Sequence, residues 1–319
     1  MLAIGGSNSL LRVIKIDDPL TTNDPVIKYN LEGHSGSVIS LAWNQSFLKL
    51  VSSDDNGLTI VWVVKNGDWY QDMIHNRNNS VVTDMKWSID GKCICIAYQD
   101  GAVVVGSVEG SRLWSIDDSG VALKCVAWSP DCRNIAFLTE ENQIRLCDKN
   151  GNHLKDITYH DIDNADNIEW RHVELEKTVP LLTITNTQGQ INVVSVVGSS
   201  RIISMNTGLY DGKSQWNPTG DILVVCGHVQ IKDGKFLMLY FYDKEGSKIH
   251  EVKLNQEKLV AIDWESCLKL AVVTEQCMYS VRVRPPYKWT TLYSFSTIVY
   301  QSQEVRKIIF NFAFGIDSF

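Results

Sequence analysis

Six tryptophans, Trp43, Trp87, Trp128, Trp170, Trp216 and Trp264, follow one another at intervals of 44, 41, 42, 46 and 48 residues. Each closes a short run. Apolar residues alternate before it: Val82 and Met85 before Trp87, Val121, Leu123 and Val126 before Trp128, Val260 and Ile262 before Trp264. Such alternation marks a half-buried strand. Several of these tryptophans lead into one turn chemistry, as in Trp87-Ser88-Ile89-Asp90-Gly91, Trp128-Ser129-Pro130-Asp131 and Trp216-Asn217-Pro218-Thr219-Gly220. A period in the low-to-mid forties is what four strands of about five residues plus their turns consume.

Glycines punctuate each period in the same way. Asn56-Gly57, Asp100-Gly101 and Gln188-Gly189 fall between second and third strands. Asn66-Gly67, Glu109-Gly110, Asn150-Gly151 and Glu245-Gly246 fall between third and fourth. Such pairs supply the positive φ of tight hairpins. No segment keeps a helical period, so no long helix is expected. The fold predicted is all-β, a WD-repeat β-propeller of about seven four-stranded blades in one domain over residues 1–300. Its units fall at about 31–76, 77–117, 118–160, 161–206, 207–255 and 256–293.

Residues 1–30 hold only later strands of an incomplete first blade: Leu2 to Gly5, Leu10 to Ile16 and Val26 to Tyr29. Thr297 to Tyr300 and Lys307 to Phe314 read as two more strands, so 294–319 either close the ring or open a further segment. With its first strand missing and a stop soon after an apolar strand, the chain is expected to be truncated at both ends. The longest connections are an acidic stretch (Asp161, Asp163, Asp166), Arg171 to Thr178, and an insert from Val229 to Lys235. They read as rim loops, where propellers bind partners.

The best-formed unit runs from Leu31 to Trp62. Gly33-His34, Asp54, Asp55 and Trp62 are expected to form a buried hydrogen-bonded network that fixes strand order. His34, Asp55 and Trp62 are its expected signature, although the usual acidic position falls nearer Asn56. The other units lack the Gly-His and Trp-Asp pairs and read as degenerate repeats.

Chemistry is hard to find. There is no Gly-x-Ser-x-Gly elbow, no phosphate-cradling loop before a helix and no His-Glu-x-x-His, so no catalytic residue and no cofactor is expected. His160, Asp161, Asp163 and Asp166 lack the glycine and the final glutamate of a calcium loop. Cys93-Ile94-Cys95 has no second ligand pair and reads as core packing rather than a zinc site. The eight cysteines form no Cys-x-x-Cys pair and read as reduced, mostly buried thiols of an intracellular protein. A net charge of -7 argues against nucleic acid as the main partner. The densest apolar run, Phe236 to Tyr242, is far short of the roughly 20 residues of a spanning helix, so no membrane insertion is expected. The start shows no signal peptide. Asn78-Asn79-Ser80 matches a glycosylation acceptor, which has no meaning without a secretory route. Arg282, Arg284, Tyr287, Lys288 and Trp289 form a candidate docking patch, although alternating arginines on an outer strand face give the plainer reading.

More specific segments carry a resemblance. Leu31-Glu32-Gly33-His34-Ser35-Gly36-Ser37-Val38 leads to Ser53-Asp54-Asp55-Asn56-Gly57-Leu58 and Val61-Trp62. Met73-Ile74-His75-Asn76-Arg77-Asn78, Asp100-Gly101-Ala102 to Val108 and Arg284-Pro285-Pro286-Tyr287-Lys288-Trp289 follow. This set resembles the N-terminal propeller of the WD repeat-containing protein 35 family, a WD-repeat subunit of the intraflagellar transport A complex. The similarity is densest over 31–115. It implies a non-catalytic scaffold for retrograde ciliary transport and cilium assembly, which helps bring membrane proteins into the cilium. The implied partners are other subunits of that complex and ciliary cargo proteins; the implied locations are cytoplasm, cilium and ciliary base. Tubby-like propellers, as substrate receptors of a ubiquitin ligase, are the alternative.

Overall fold

Strands supply all the regular structure among the described residues, in the antiparallel meanders that the alternation and the Asx-Gly turns dictate. The computed structural model describes residues 2–15, 27–77, 80–117, 120–159, 162–172, 180–197, 201–231, 234–254, 258–267, 269–275, 278–283, 293–297 and 308–312. The chain divides into two compact units, Met1–Ile157 and Thr158–Phe319.

The first unit holds four sheets, numbered here as blades. Blade one has three strands, Leu2–Gly5, Leu11–Lys15 and Ile27–Asn30. Blade two has four, Val38–Asn44, Lys49–Asp54, Leu58–Lys65 and Asp68–Asn76. Blades three and four also have four strands, opening with Val82–Trp87 and Leu123–Trp128. In the second unit, blades five and six are four-stranded and open with Asn167–Arg171 and Tyr210–Trp216. Blade seven has three, Leu259–Ser266, Lys269–Thr274 and Met278–Arg282. Tyr293–Thr297 pairs with Ile308–Phe312 in a separate hairpin. The earlier of these two strands thus lies upstream of the expected Thr297 to Tyr300, whose last three residues are outside the described set.

Six of the hairpin turns share one device, and it starts two residues before the pair that ends in the positive-φ residue. A short polar residue at position i accepts, through its side chain, the backbone N–H of i+4, while the N–H of i+3 returns to its carbonyl. Asp148 accepts from Asn150 and Asn152 at 2.8 and 2.9 Å, and Gly151 N bonds Asp148 O at 3.0 Å. Asp54, Asn186 and Asp243 repeat the pattern; Ser107 and Thr139 do so with a hydroxyl. Residue i+3 takes positive φ, 83° at Gly57 and 59° at Asn142, which is why Gly or Asn stands there.

Three of the ladder tryptophans link their sheet to the backbone of the one before it. Trp87 Nε1 donates to Ala42 O at 3.3 Å, Trp128 Nε1 to Lys86 O at 3.1 Å and Trp264 Nε1 to Gln215 O at 3.5 Å. Each acceptor is the residue just before the preceding blade's own tryptophan. Trp216 departs from this, donating to Thr183 Oγ1 at 2.7 Å, while its backbone N–H reaches the Glu169 carboxylate. Apolar faces pack between adjacent sheets. Leu11 and Val13 of blade one meet Leu50, Ile60 and Trp62 of blade two; Cys95 and Val105 of blade three meet Val126, Trp128 and Phe137 of blade four. Full burial of each such side chain contributes about 1.5–3 kcal/mol.

The Val229 to Lys235 insert is not a loop. It prolongs two strands, Ile222–Ile231 and Gly234–Asp243, which stay in register down to the Ile231–Gly234 pair. Val229 packs partly on the blade-six core, giving the extension an apolar anchor.

Trp128→Phe keeps an aromatic ring, though a smaller one, and strands the Lys86 carbonyl. We expect a loss of about 1–2 kcal/mol in urea unfolding, with Lys86→Ala close to neutral because only the backbone of Lys86 takes part.

Candidate functional site

The densest polar cluster among the buried residues lies in blade two. Lys49–Asp54 and Leu58–Lys65 place Ser52 and Trp62 in adjacent strands, and the segment before Val38 drops His34 onto them. Trp62 Nε1 donates to Ser52 Oγ at 2.8 Å, Ser52 Oγ lies 2.6 Å from His34 Nε2, and His34 Nδ1 lies 3.1 Å from Asp54 Oδ2. An indole can only donate and a carboxylate can only accept. The chain of bonds therefore runs one way: Trp62 to Ser52, Ser52 O–H to His34 Nε2, His34 Nδ1–H to Asp54. Asp54 and Ser52 are both 0% exposed.

Asp54 also accepts the backbone N–H groups of Leu58 (2.9 Å), Asn56 (3.1 Å), Gly36 (3.3 Å) and Ser35 (3.4 Å). Burial pushes its carboxyl up, but the Leu58 amide, the His34 bond and the Gly36 amide together hold it below the ordinary carboxylate range. The carboxylate of this network is Asp54, not Asp55. Asp55 is exposed and caps Ser37 N at 2.9 Å through Oδ1. The reason is the turn: residue i of the device must point inward over its own i+4 amide, which turns i+1 to solvent.

The Asp-His-Ser order is that of a hydrolase triad, yet the chemistry differs. Ser52 is sealed from solvent, and its oxygen already accepts the Trp62 indole. The cluster joins the second and third strands to the segment leading into the first. Tyr98, Thr139 and Asn186 occupy the position of Asp54 in blades three, four and five, and none is hydrogen-bonded to a histidine among the described residues. In blade three the missing acceptor is replaced by Asp100, which takes Ala102 N at 3.1 Å.

The remaining candidates separate cleanly. Trp43, Trp87, Trp128, Trp170, Trp216 and Trp264 all lie in first strands; Trp43 packs on Trp69 with ring centroids 5.6 Å apart. Cys93 and Cys95 face one core cluster, and burial pushes both thiols up. Arg282 ends a strand, but its side chain and Arg284, Tyr287, Lys288 and Trp289 lie outside the described residues, as do His160, Asp161, Asn78 and Asn79. Among the described residues no group of three or more His, Cys, Asp or Glu is placed to hold a metal, and no helix is long and apolar enough to cross a membrane.

A surface feature escaped the sequence reading. Phe47, Leu48 and Ile89 are 42%, 53% and 53% exposed, on the first turns of blades two and three. Asn44 Nδ2 donates to Gly91 O at 2.7 Å and holds these two turns side by side. Three apolar residues at turn tips, where polar ones are the rule, were the available signal.

Asp54→Ala leaves several buried donors unanswered and should cost about 3 kcal/mol in urea unfolding, whereas Asp55→Ala should stay within about 1 kcal/mol. The lowered carboxyl of Asp54 adds stability that is complete above its unfolded value near pH 4 and is lost as pH falls through the folded value. Stability measured between pH 5 and pH 2 should therefore decline less steeply in Asp54→Asn than in the parent.

Comparison with known proteins agrees with this geometry. WD repeat-containing protein 35 from Mus musculus is 34% identical over 322 residues, an alignment covering 94% of this chain and 27% of the relative. The Homo sapiens protein gives the same figures. Tubby-related protein 4 from Mus musculus is 28% identical over 298 residues, covering 81% of this chain and 19% of the relative. The chain thus spans about a quarter of the length of its WD repeat-containing relatives (27%). Among solved structures, a chain in the crystal structure of the mitotic checkpoint complex superposes with a TM-score of 0.62 at 14% identity, over 77% of this chain and 76% of that one. That likeness shows the β-propeller fold, here with seven blades. The family model described as WDR35/TULP4 N-terminal matches residues 1–284, and the chain belongs to that β-propeller family.

Proposed function

We propose that this propeller serves as a protein-docking module of an intraflagellar transport A type scaffold. It would act in retrograde ciliary transport and cilium assembly, at the ciliary base and within the cilium. The observation that carries the reading is the similarity to WD repeat-containing protein 35 along 94% of the chain. The physical character of the surface supports it. The Ser52-His34-Asp54 cluster is sealed from solvent, while apolar side chains stand exposed at neighbouring turns. Exposed apolar groups at fixed turns suit protein partners. The partners expected are other subunits of that complex and ciliary cargo proteins. The similarity to Tubby-related protein 4 favours a second reading, a substrate receptor of a ubiquitin ligase.

Tagged full-length protein expressed in ciliated cells decides between them. Recovery of the other complex A subunits supports the scaffold, and recovery of ligase components without them replaces it with the second reading. Phe47→Glu combined with Ile89→Glu should lower that recovery roughly tenfold, the effect of losing about 1.4 kcal/mol of binding. Both positions are exposed, so the melting temperature should be nearly unchanged.

A further inference from the structure

We infer that the junction of blades five and six holds one structural water molecule, bound by the Ser214 hydroxyl. Ser214 is only 7% exposed, and its Oγ meets no hydrogen-bonding group of the protein. It lines a cavity of about 10 Å³, together with Thr185 and Gly189 of blade five and Leu209, Gly212 and Val225 of blade six. One water needs about 10–15 Å³ of such space and at least two polar partners. Thr185, Asn186 and Lys213 are the other residues with polar side chains along its lining.

The cavity has a local cause. Tyr210 pairs with His228 and Lys213 with Cys226, so Asp211 and Gly212 bulge out of the ladder opposite Gly227. Asp211 takes a φ of 51° in this bulge. A Cβ on Gly212 would lie 3.1 Å from Cys226 O, and one on Gly227 would lie 3.0 Å from Gly212 Cα. Backbone crowding thus demands two glycines, and the bulged backbone at Gly212 borders the cavity that Ser214 lines. An unbonded buried hydroxyl costs free energy that a bound water recovers. The same junction is where Trp216 gives its indole to Thr183 rather than to a backbone carbonyl. A bridging water adds a link between the two sheets there.

A crystal structure of the chain at about 1.5 Å resolution tests this, with Ser214→Val and Ser214→Ala beside the parent. One density peak at hydrogen-bonding distance from Ser214 Oγ is expected, absent in Ser214→Val. An empty cavity in the parent overturns the inference, as does a peak that survives unchanged in Ser214→Val. Urea unfolding gives an independent answer because the signs are opposite. With water bound, Ser214→Val should raise the unfolding constant roughly fivefold. A dry cavity predicts a lower unfolding constant, since valine removes an unbonded hydroxyl and fills space; that result overturns the proposal.

Discussion

Two flat sheets can pack face to face in many offsets, and apolar contact alone chooses poorly among them because it has no direction. In this protein a directional bond makes the choice. The indole of one blade's first strand donates to the backbone carbonyl just before the previous blade's tryptophan, from Trp87 to Ala42 and from Trp128 to Lys86. That bond sets the offset of the two strands, and the clusters around Met85 and Phe137 then fill the space it defines. Ring area and a single donor in one residue explain why tryptophan recurs. A phenylalanine would pack without specifying register.

Polar groups inside such a stack must be paired within the protein. The turn device does this cheaply, since one Asx oxygen answers the amides that a tight reversal leaves behind. In blade two the same oxygen-bearing residue does more, because Asp54 also anchors His34 and through it Ser52 and Trp62. The result resembles a catalytic relay in connectivity alone. What separates the two is access, and burial of Ser52 decides the matter for structure rather than turnover.

Legibility followed from how local each cause was. The ladder from Trp43 to Trp264 was readable because its period is written along the chain, and Gly57 or Gly151 because positive φ is a single-residue demand. The polar residue three places earlier was passed over, although an Asx or hydroxyl before each glycine was there to be seen. In the run Asp54-Asp55-Asn56 three residues have nearly the same chemistry, so composition could not say which carboxylate turns inward. The Val229 to Lys235 stretch looked like an insert because its polar tip hid strands that continue in register beneath it.

The amino-acid order by itself determined the all-β class and the forty-odd-residue unit, since both depend on periodicity and on residue-specific turn preferences. It pointed to the family through the resemblance of segments such as Leu31 to Val38 and Ser53 to Leu58. Tertiary structure decided the partner of each tryptophan donor, the choice of Asp54 over its neighbour, the exposure of Phe47 and Ile89, and the gap at Ser214. Each of these is a relation between residues that lie on different strands or different sheets. Such relations are set by packing and register, and one-dimensional spacing does not contain them.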